Sequence, residues 1–137
     1  MDKISEENKM ITNRIKILRD KFKYHKIDGY IIPKNDEFFS EYAENDRLKN
    51  ISKFTGSAGL AIILKKNNYL FVDGRYTIQA QNECGKNFKI IEIHKKLPHT
   101  IIKNCKLGFD PHLFTTNSLK RYFSNNNKLI ILKNKIL

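Results

Sequence analysis

A series of short glycine-bearing or polar motifs constrains the fold of this chain more than any other feature of its sequence. The motifs follow one another in a fixed order, in the segments Gly29–Asp36, Ser40–Tyr42, Phe54–Ile63 and Val72–Ala80. Short apolar runs lie between and within them, and the longest run, Leu60–Leu64, is far too short to span a bilayer. The series therefore predicts short buried strands that are separated by specific turns.

The predicted elements alternate between helix and strand. Apolar residues at spacings of four, three and four predict a helix that begins near Ser5, where a hydroxyl cap precedes two acids, and ends near 24–26. The members of this apolar stripe are Ile11, Ile15, Leu18 and Phe22. Two apolar runs joined by four polar residues at 65–68 predict a β-hairpin.

The remaining elements complete an α/β pattern. We predict strands at 30–32, 88–93, 107–109 and 129–132, and we expect the strand at 88–93 to lie in the core. We predict helices at 48–54, 76–84, 98–103 and 116–123. Pro33 ends the first of these strands, and Gly85 is the expected C-cap of the second of these helices. This order predicts an α/β fold, with a mixed sheet and helices packed on it, in a single domain over residues 1–137.

The charge of the chain is strongly basic, with 26 Lys and Arg against 14 Asp and Glu and a net charge of +12. Such a charge is typical of proteins that bind nucleic acid or an anionic surface. The basic residues are scattered, however, and the abundance of Ile, Lys and Asn follows the use of A/T-rich codons. Cys84 and Cys105 have no metal-binding spacing, and the acidic start of the chain has no signal-peptide pattern, so we predict a cytoplasmic protein with reduced thiols.

The segment Phe54–Gly59 invites comparison with a phosphate-binding loop. Its glycines precede a strand, whereas a phosphate loop follows a strand and opens a helix. We therefore predict a tight turn with close backbone packing. The alternative is a loop whose small residues approach a neighbouring subunit or domain.

Two further segments supply the candidate site residues. At the end of a strand, we expect Asp73 to cap a helix, Gly74 to take an unusual backbone angle, and Arg75 to pair with the carboxylate of Asp36, of Glu41 or of a bound peptide. The aromatic residues of the polar loop 34–45 either pack beneath it or form an exposed apolar patch. The candidates for a substrate pocket or an interface are Asp36, Phe39, Glu41, Tyr42, Arg75 and Tyr76.

The histidines give no metal site. His25, His94, His99 and His112 lack any helical ligand spacing and are expected at the surface. No flanking motif supports a nucleophile either, so we predict no catalytic residue and no metal ligand in this chain.

The motif series resembles the N-terminal, non-catalytic domain of the Xaa-Pro aminopeptidases (aminopeptidase P), in the creatinase/prolidase group. The resemblance covers roughly residues 10–132. It rests on four motifs in order, namely Gly29–Pro33 with Asp36, Ser40–Tyr42, Phe54–Ile63 and Asp73–Ala80. It implies a mixed sheet of about six strands. It also implies a parent metallopeptidase that releases an N-terminal residue ahead of proline, with two manganese-like divalent ions held by a later domain that this chain lacks.

The resemblance also implies partners. They are the catalytic C-terminal domain of the same enzyme, further copies of the chain in a homo-oligomer, and a peptide substrate with proline second. This domain would assist oligomerisation and cover the active site of the same or a neighbouring subunit. No membrane partner is expected. The alternative function is a stand-alone remnant or a basic binding module without peptidase activity, with nucleic acid as its ligand.

Overall fold

The computed structural model describes residues 3–34, 47–56, 59–110, 122–123 and 127–132. The helices of this part are α1 (Lys3–His25), α2 (Arg47–Ser52), α3 (Thr77–Cys84) and α4 (Pro98–Ile101), with a 3-10 turn at Gly74–Tyr76. The strands are β1 (Gly29–Pro33), β2 (Leu60–Leu64), β3 (Asn68–Val72), β4 (Lys89–Glu92), β5 (Lys106–Phe109) and β6 (Lys128–Ile131).

The strands form one mixed sheet of six strands in the order β4-β3-β2-β1-β5-β6. The β1–β2 and β2–β3 pairs are antiparallel, and the β3–β4, β1–β5 and β5–β6 pairs are parallel. The predicted hairpin is the β2–β3 pair, closed by a hydrogen bond from the Leu64 amide to the Asn67 carbonyl. The α/β fold with a mixed sheet and flanking helices is thus confirmed.

Helix α1 packs on the sheet through the predicted stripe. Ile11, Ile15, Leu18 and Phe22 are all buried, as their helical spacing requires for one face. The helix ends at His25, as predicted, but it begins at Lys3, before the predicted cap at Ser5. A serine also occurs within the first turn of a helix, so its presence does not exclude an earlier start.

Both faces of the sheet are buried, because successive side chains of a strand point to opposite sides. Tyr30 and Ile32 of β1 belong to the core beneath α1, α2 and α3. Ile31 belongs to a second core on the other face, with Ile102, which follows α4, and Phe123. This burial explains why the strands read as continuous apolar runs.

Strand β4 differs from its prediction. The segment 88–93 was expected to form a core strand, but β4 lies at the edge of the sheet, and Ile90, Ile91 and Glu92 are only half-buried. Apolar composition does not distinguish an edge strand from a central one. The position follows from the parallel pairing with β3 after the crossover through α3.

The predicted helix 116–123 falls largely outside the described residues, of which Tyr122 and Phe123 are helical. The other short predictions agree with α2, α3, α4, β5 and β6 in type and in place. Among the described helices, none has the length and apolar content needed to cross a membrane.

Candidate functional site: one edge of the sheet

The described residues of the sequence motifs meet at one end of the strands, along the rim of the sheet where β1, β3 and β4 finish. Strands β1, β3 and β4 end there, and β2 begins there, because Pro33 pairs with Leu60 and Val72 pairs with Glu92. The Lys34 amide donates to the Gly59 carbonyl at 3.1 Å and joins the first motif to the third. We call this surface the motif edge; it comprises Pro33, Lys34, Gly59, Leu60, Val72–Tyr76 and Glu92.

Asp73 organises the turn at the end of β3. Its carboxylate oxygen Oδ1 accepts a hydrogen bond from the Arg75 amide at 2.9 Å, and its carbonyl accepts one from the Tyr76 amide at 2.9 Å. The predicted cap is thus confirmed, although it closes a 3-10 turn before α3. The amide hydrogen bond from Arg75 lowers the pKa of Asp73, and the charges of Arg75 and His94 contribute in the same direction.

Arg75 projects from this turn with 76% of its side chain exposed. Its Nε lies 3.3 Å from Oδ1 of Asp73, and its guanidinium carbon lies 5.4 Å from the centre of the Tyr76 ring. The predicted partners Asp36 and Glu41 lie outside the described residues, so that pairing stays a prediction. Phe39 and Tyr42 lie outside the described residues as well.

The backbone at Gly74 differs from its prediction. No described glycine has a positive φ, so the expectation of an unusual backbone angle is wrong. A β-carbon at Gly74 would instead lie 2.5 Å from Oε1 of Glu92, on the neighbouring strand. The glycine therefore makes room for a carboxylate, which also pairs with Lys95 at 3.3 Å.

Tyr76 links two motifs through an aromatic contact. Its ring packs edge-on against Phe54, with the ring centres 6.2 Å apart. Phe54 is fully buried, and β-carbons at Gly56 and Gly59 would lie 2.2 Å and 3.1 Å from its ring. The prediction of close backbone packing at Phe54–Gly59 is confirmed for the described residues of that segment.

A polar network that the sequence analysis missed ties the same segment to α3. The Glu83 carboxylate accepts hydrogen bonds from the Thr55 amide at 2.9 Å and from the Thr55 hydroxyl at 2.6 Å. The amide nitrogen of Gln79 donates to the Thr55 hydroxyl oxygen at 2.9 Å. The separation of four residues between Gln79 and Glu83, on one helix face, was the available signal.

The arrangement at the motif edge suits recognition by charge and hydrogen bonding. Asp73 contacts Nε of Arg75 at 3.3 Å and Nε2 of His94 at 3.5 Å, and Glu92 pairs with Lys95 at 3.3 Å, so charged groups of both signs occur there. Within the described residues, no three His, Cys, Asp or Glu side chains come together as metal ligands would. The described residues thus do not fit a two-metal centre.

The sequence of the chain is similar to known proteins. Residues 14–136 match the family model of the Creatinase/Prolidase N-terminal domain. The chain is 33% identical to the probable Xaa-Pro aminopeptidase P of Laccaria bicolor, over 92% of the chain and 22% of that protein. It is 34% identical to Xaa-Pro aminopeptidase 2 of Rattus norvegicus, over 81% of the chain and 18% of that protein. The chain therefore spans about a fifth of the length of the curated relatives it matches.

Solved structures share the fold. The X-prolyl aminopeptidase of Caenorhabditis elegans, described as a cytosolic enzyme with a di-nuclear active site, superposes with a TM-score of 0.75 at 22% identity. That match covers 92% of this chain and 24% of the enzyme. The N-terminal domain of the cytoplasmic peptidase PepQ of Mycobacterium tuberculosis superposes with a TM-score of 0.64 at 21% identity, over 88% of this chain and 92% of that domain.

Proposed function

Because this chain belongs to the Creatinase/Prolidase N-terminal domain family, we propose that it serves as the non-catalytic first domain of an Xaa-Pro aminopeptidase. Its partner is a catalytic domain that holds two divalent metal ions and releases the N-terminal residue of peptides with proline second. The observation that carries the proposal is that the described parts of three motifs meet at one end of the strands, where Arg75 is exposed. We propose the cytoplasm as its location, which the cytosolic relative supports.

The motif edge is the proposed contact surface for the catalytic domain. Arg75 offers a planar set of N–H donors that matches a carboxylate of the partner domain or of the peptide substrate. The turn that presents it is fixed by Asp73 and by the packing of Tyr76 on Phe54. A turn that is already fixed loses less conformational freedom on binding than a mobile one does.

An association experiment tests this proposal. The 137-residue chain is mixed with the catalytic portion of one of the Xaa-Pro aminopeptidases named above, expressed without its own first domain. We expect a complex by analytical ultracentrifugation that Arg75→Glu weakens at least about tenfold. The matched control is Lys103→Glu, which makes the same charge change at an exposed position before β5, at the other edge of the sheet. Equal effects of the two substitutions would contradict a specific role of the motif edge.

Peptidase assays address the catalytic part of the proposal. The 137-residue chain alone is expected to leave Xaa-Pro peptides intact in the presence of manganese, and turnover that a chelator abolishes would overturn the proposal. A stand-alone module makes the opposite prediction for the mixing experiment, because it forms no complex with the catalytic portion.

The loop residues extend the proposed surface. We propose that Asp36, Phe39, Glu41 and Tyr42 line the substrate pocket or the interface between subunits, together with Arg75 and Tyr76. Phe39→Ser then reduces self-association of the protein and changes its melting temperature little. If Phe39→Ser instead destabilises a monomeric protein by ~3 kcal/mol or more, the loop aromatics are core residues.

A further inference from the structure

A basic groove lies at the edge of the sheet opposite the motif edge. It lies between the C-terminal end of α1, the C-terminal end of β2 and the N-terminal end of β5. Its volume is about 740 Å³. Five cationic side chains line it: Arg19, Lys23, Lys26, Lys65 and Lys106. Phe22 and Ile27 form an apolar part of the lining, and Asp28 is the one acidic residue among the described residues that line it.

The contacts of these residues leave a positive excess in the groove. Asp28 accepts a hydrogen bond from the Lys106 amide at 2.8 Å and contacts Nζ of Lys65 at 3.2 Å. Nε of Arg19 donates to the Leu64 carbonyl at 2.8 Å, and its guanidinium also binds Asn68. Asp28 and the half negative charge at the C-terminal end of α1 together offset fewer than two of the five positive charges. Among the described residues, the side chains of Lys23 and Lys26 make no ion pair.

Lys26 occupies a backbone position that usually belongs to glycine. Its φ is 56°, in the left-handed region, and it directly follows the last residue of α1. The Ile27 amide donates to the Phe22 carbonyl and the Lys26 amide donates to the Lys23 carbonyl, which closes the helix in the usual glycine-terminated way. Lys53, which follows α2, also has a left-handed φ, so this conformation marks the end of a helix and is not in itself a sign of a binding site.

We propose that this groove binds a small phosphate-bearing polyanion, of the class of inorganic or nucleoside polyphosphates. The volume falls in the range of small-molecule pockets, about 300–1,000 Å³. Several ammonium groups around one concavity match a chain of phosphates, and the apolar wall offers a surface for a nucleobase. A nucleic-acid duplex needs an extended basic surface that follows its backbone, whereas these cations converge on a single groove. The proposal is independent of the motif edge, which lies across the sheet.

Titration calorimetry with inorganic tripolyphosphate tests the proposal on the 137-residue chain at an ionic strength of about 0.1 M, where charges more than about 10 Å from the ligand are largely screened. We expect the triple substitution of Lys23, Lys26 and Lys106 to alanine to weaken binding at least about tenfold. The matched control replaces Lys66, Lys96 and Lys103, which are exposed and do not line the groove, so that the net charge is the same. We expect the control to change affinity less than about twofold.

A single substitution separates binding from folding. Lys26→Gly places at this left-handed position a residue that adopts it without steric cost. The substitution is expected to raise the melting temperature by roughly 2–5 °C. The same change removes one cation from the groove and is expected to weaken tripolyphosphate binding about threefold. A variant that is more stable and binds less tightly cannot be explained by loss of folding.

Three outcomes overturn the proposal. One is the absence of tripolyphosphate binding, and another is an equal loss of affinity in the triple variant and its control, which would show non-specific attraction by the net charge. The third is tight binding of a short DNA duplex that the groove substitutions weaken while tripolyphosphate binds no more tightly than sulfate. Tighter binding of ATP than of tripolyphosphate would identify a nucleotide as the source of the phosphates, and equal affinity would identify polyphosphate itself.

Discussion

The carboxylate of Glu83 holds Thr55 by two hydrogen bonds, one from the backbone amide and one from the hydroxyl. Helix α3 is thereby attached to the segment that precedes β2, next to the packing of Phe54 against Tyr76. Two hydrogen bonds to one carboxylate restrain both the backbone and the side chain of Thr55. This contact therefore fixes how the segment enters the motif edge.

Glu83→Ala is therefore expected to lower the free energy of unfolding by about 1 kcal/mol, since the contact is exposed and its hydrogen bonds compete with water. Urea unfolding measures the change. Asn82→Ala, at an exposed position on the same helix, is the control and is expected to have little effect. An unchanged Glu83→Ala protein would show that the two hydrogen bonds contribute nothing to stability.

Gly74→Ala is expected to destabilise the protein by less than about 1 kcal/mol, because the added methyl group would meet only the flexible end of the Glu92 side chain, which can move aside. Glu92→Ala removes the obstacle. In a double-mutant cycle, the cost of Gly74→Ala should fall to near zero in the Glu92→Ala background. If Gly74→Ala lowers the stability equally in the Glu92→Ala background, the need for glycine comes from the backbone and not from Glu92.

The Asp28 carboxylate should give the protein a pH-dependent component of stability. The hydrogen bond from the Lys106 amide lowers its pKa below the ordinary value of 3.8. The unfolded chain therefore takes up the proton first, and the stabilisation is fully present above about pH 4 and is lost as the pH falls through the lower, folded-state pKa. The stability difference between the wild type and Asp28→Asn should shrink below pH 4. A difference that is constant from pH 7 to pH 2 would contradict this origin.

The two cysteines should differ in their reaction with thiol reagents. Burial raises the pKa of Cys84 to about 12, and the charge of Glu83 acts in the same direction. Burial also raises the pKa of Cys105, which is only half-buried. Because the thiolate is the reactive form, Cys105 should be modified first at pH 8, and Cys84 only after unfolding. Comparison of Cys84→Ala and Cys105→Ala identifies which thiol reacts.

Local signals predicted most of the fold. The stripe Ile11, Ile15, Leu18 and Phe22 needs only the helical period, and the β2–β3 hairpin needs only two apolar runs and a turn. The edge position of β4 was not predictable in this way. It depends on which strand β4 pairs with after the crossover through α3, and a single sequence does not show that this strand is β3.

The same distinction between local and distant contacts applies to the candidate site. The Asp73 cap joins residues two apart in the sequence, so the motif revealed it. The role of Gly74 depends on Glu92 and the role of Thr55 depends on Glu83, and both partners are distant in the sequence. A single sequence shows that such residues are polar or small, but the contact that explains them exists only after the strands are paired.

The strand order has a consequence for synthesis of the chain on the ribosome. The hairpin β2–β3 can form from neighbouring residues, whereas the contact of β1 with β5 brings together Asp28 and Lys106, which are 78 residues apart. Closing so long a loop is slow, because its entropic cost comes before any contact is made. Until β5 has been translated, one edge of the apolar strand β1 has no partner. We therefore expect the nascent protein to carry an open strand edge until β5 has been made, and such an edge favours aggregation during that interval.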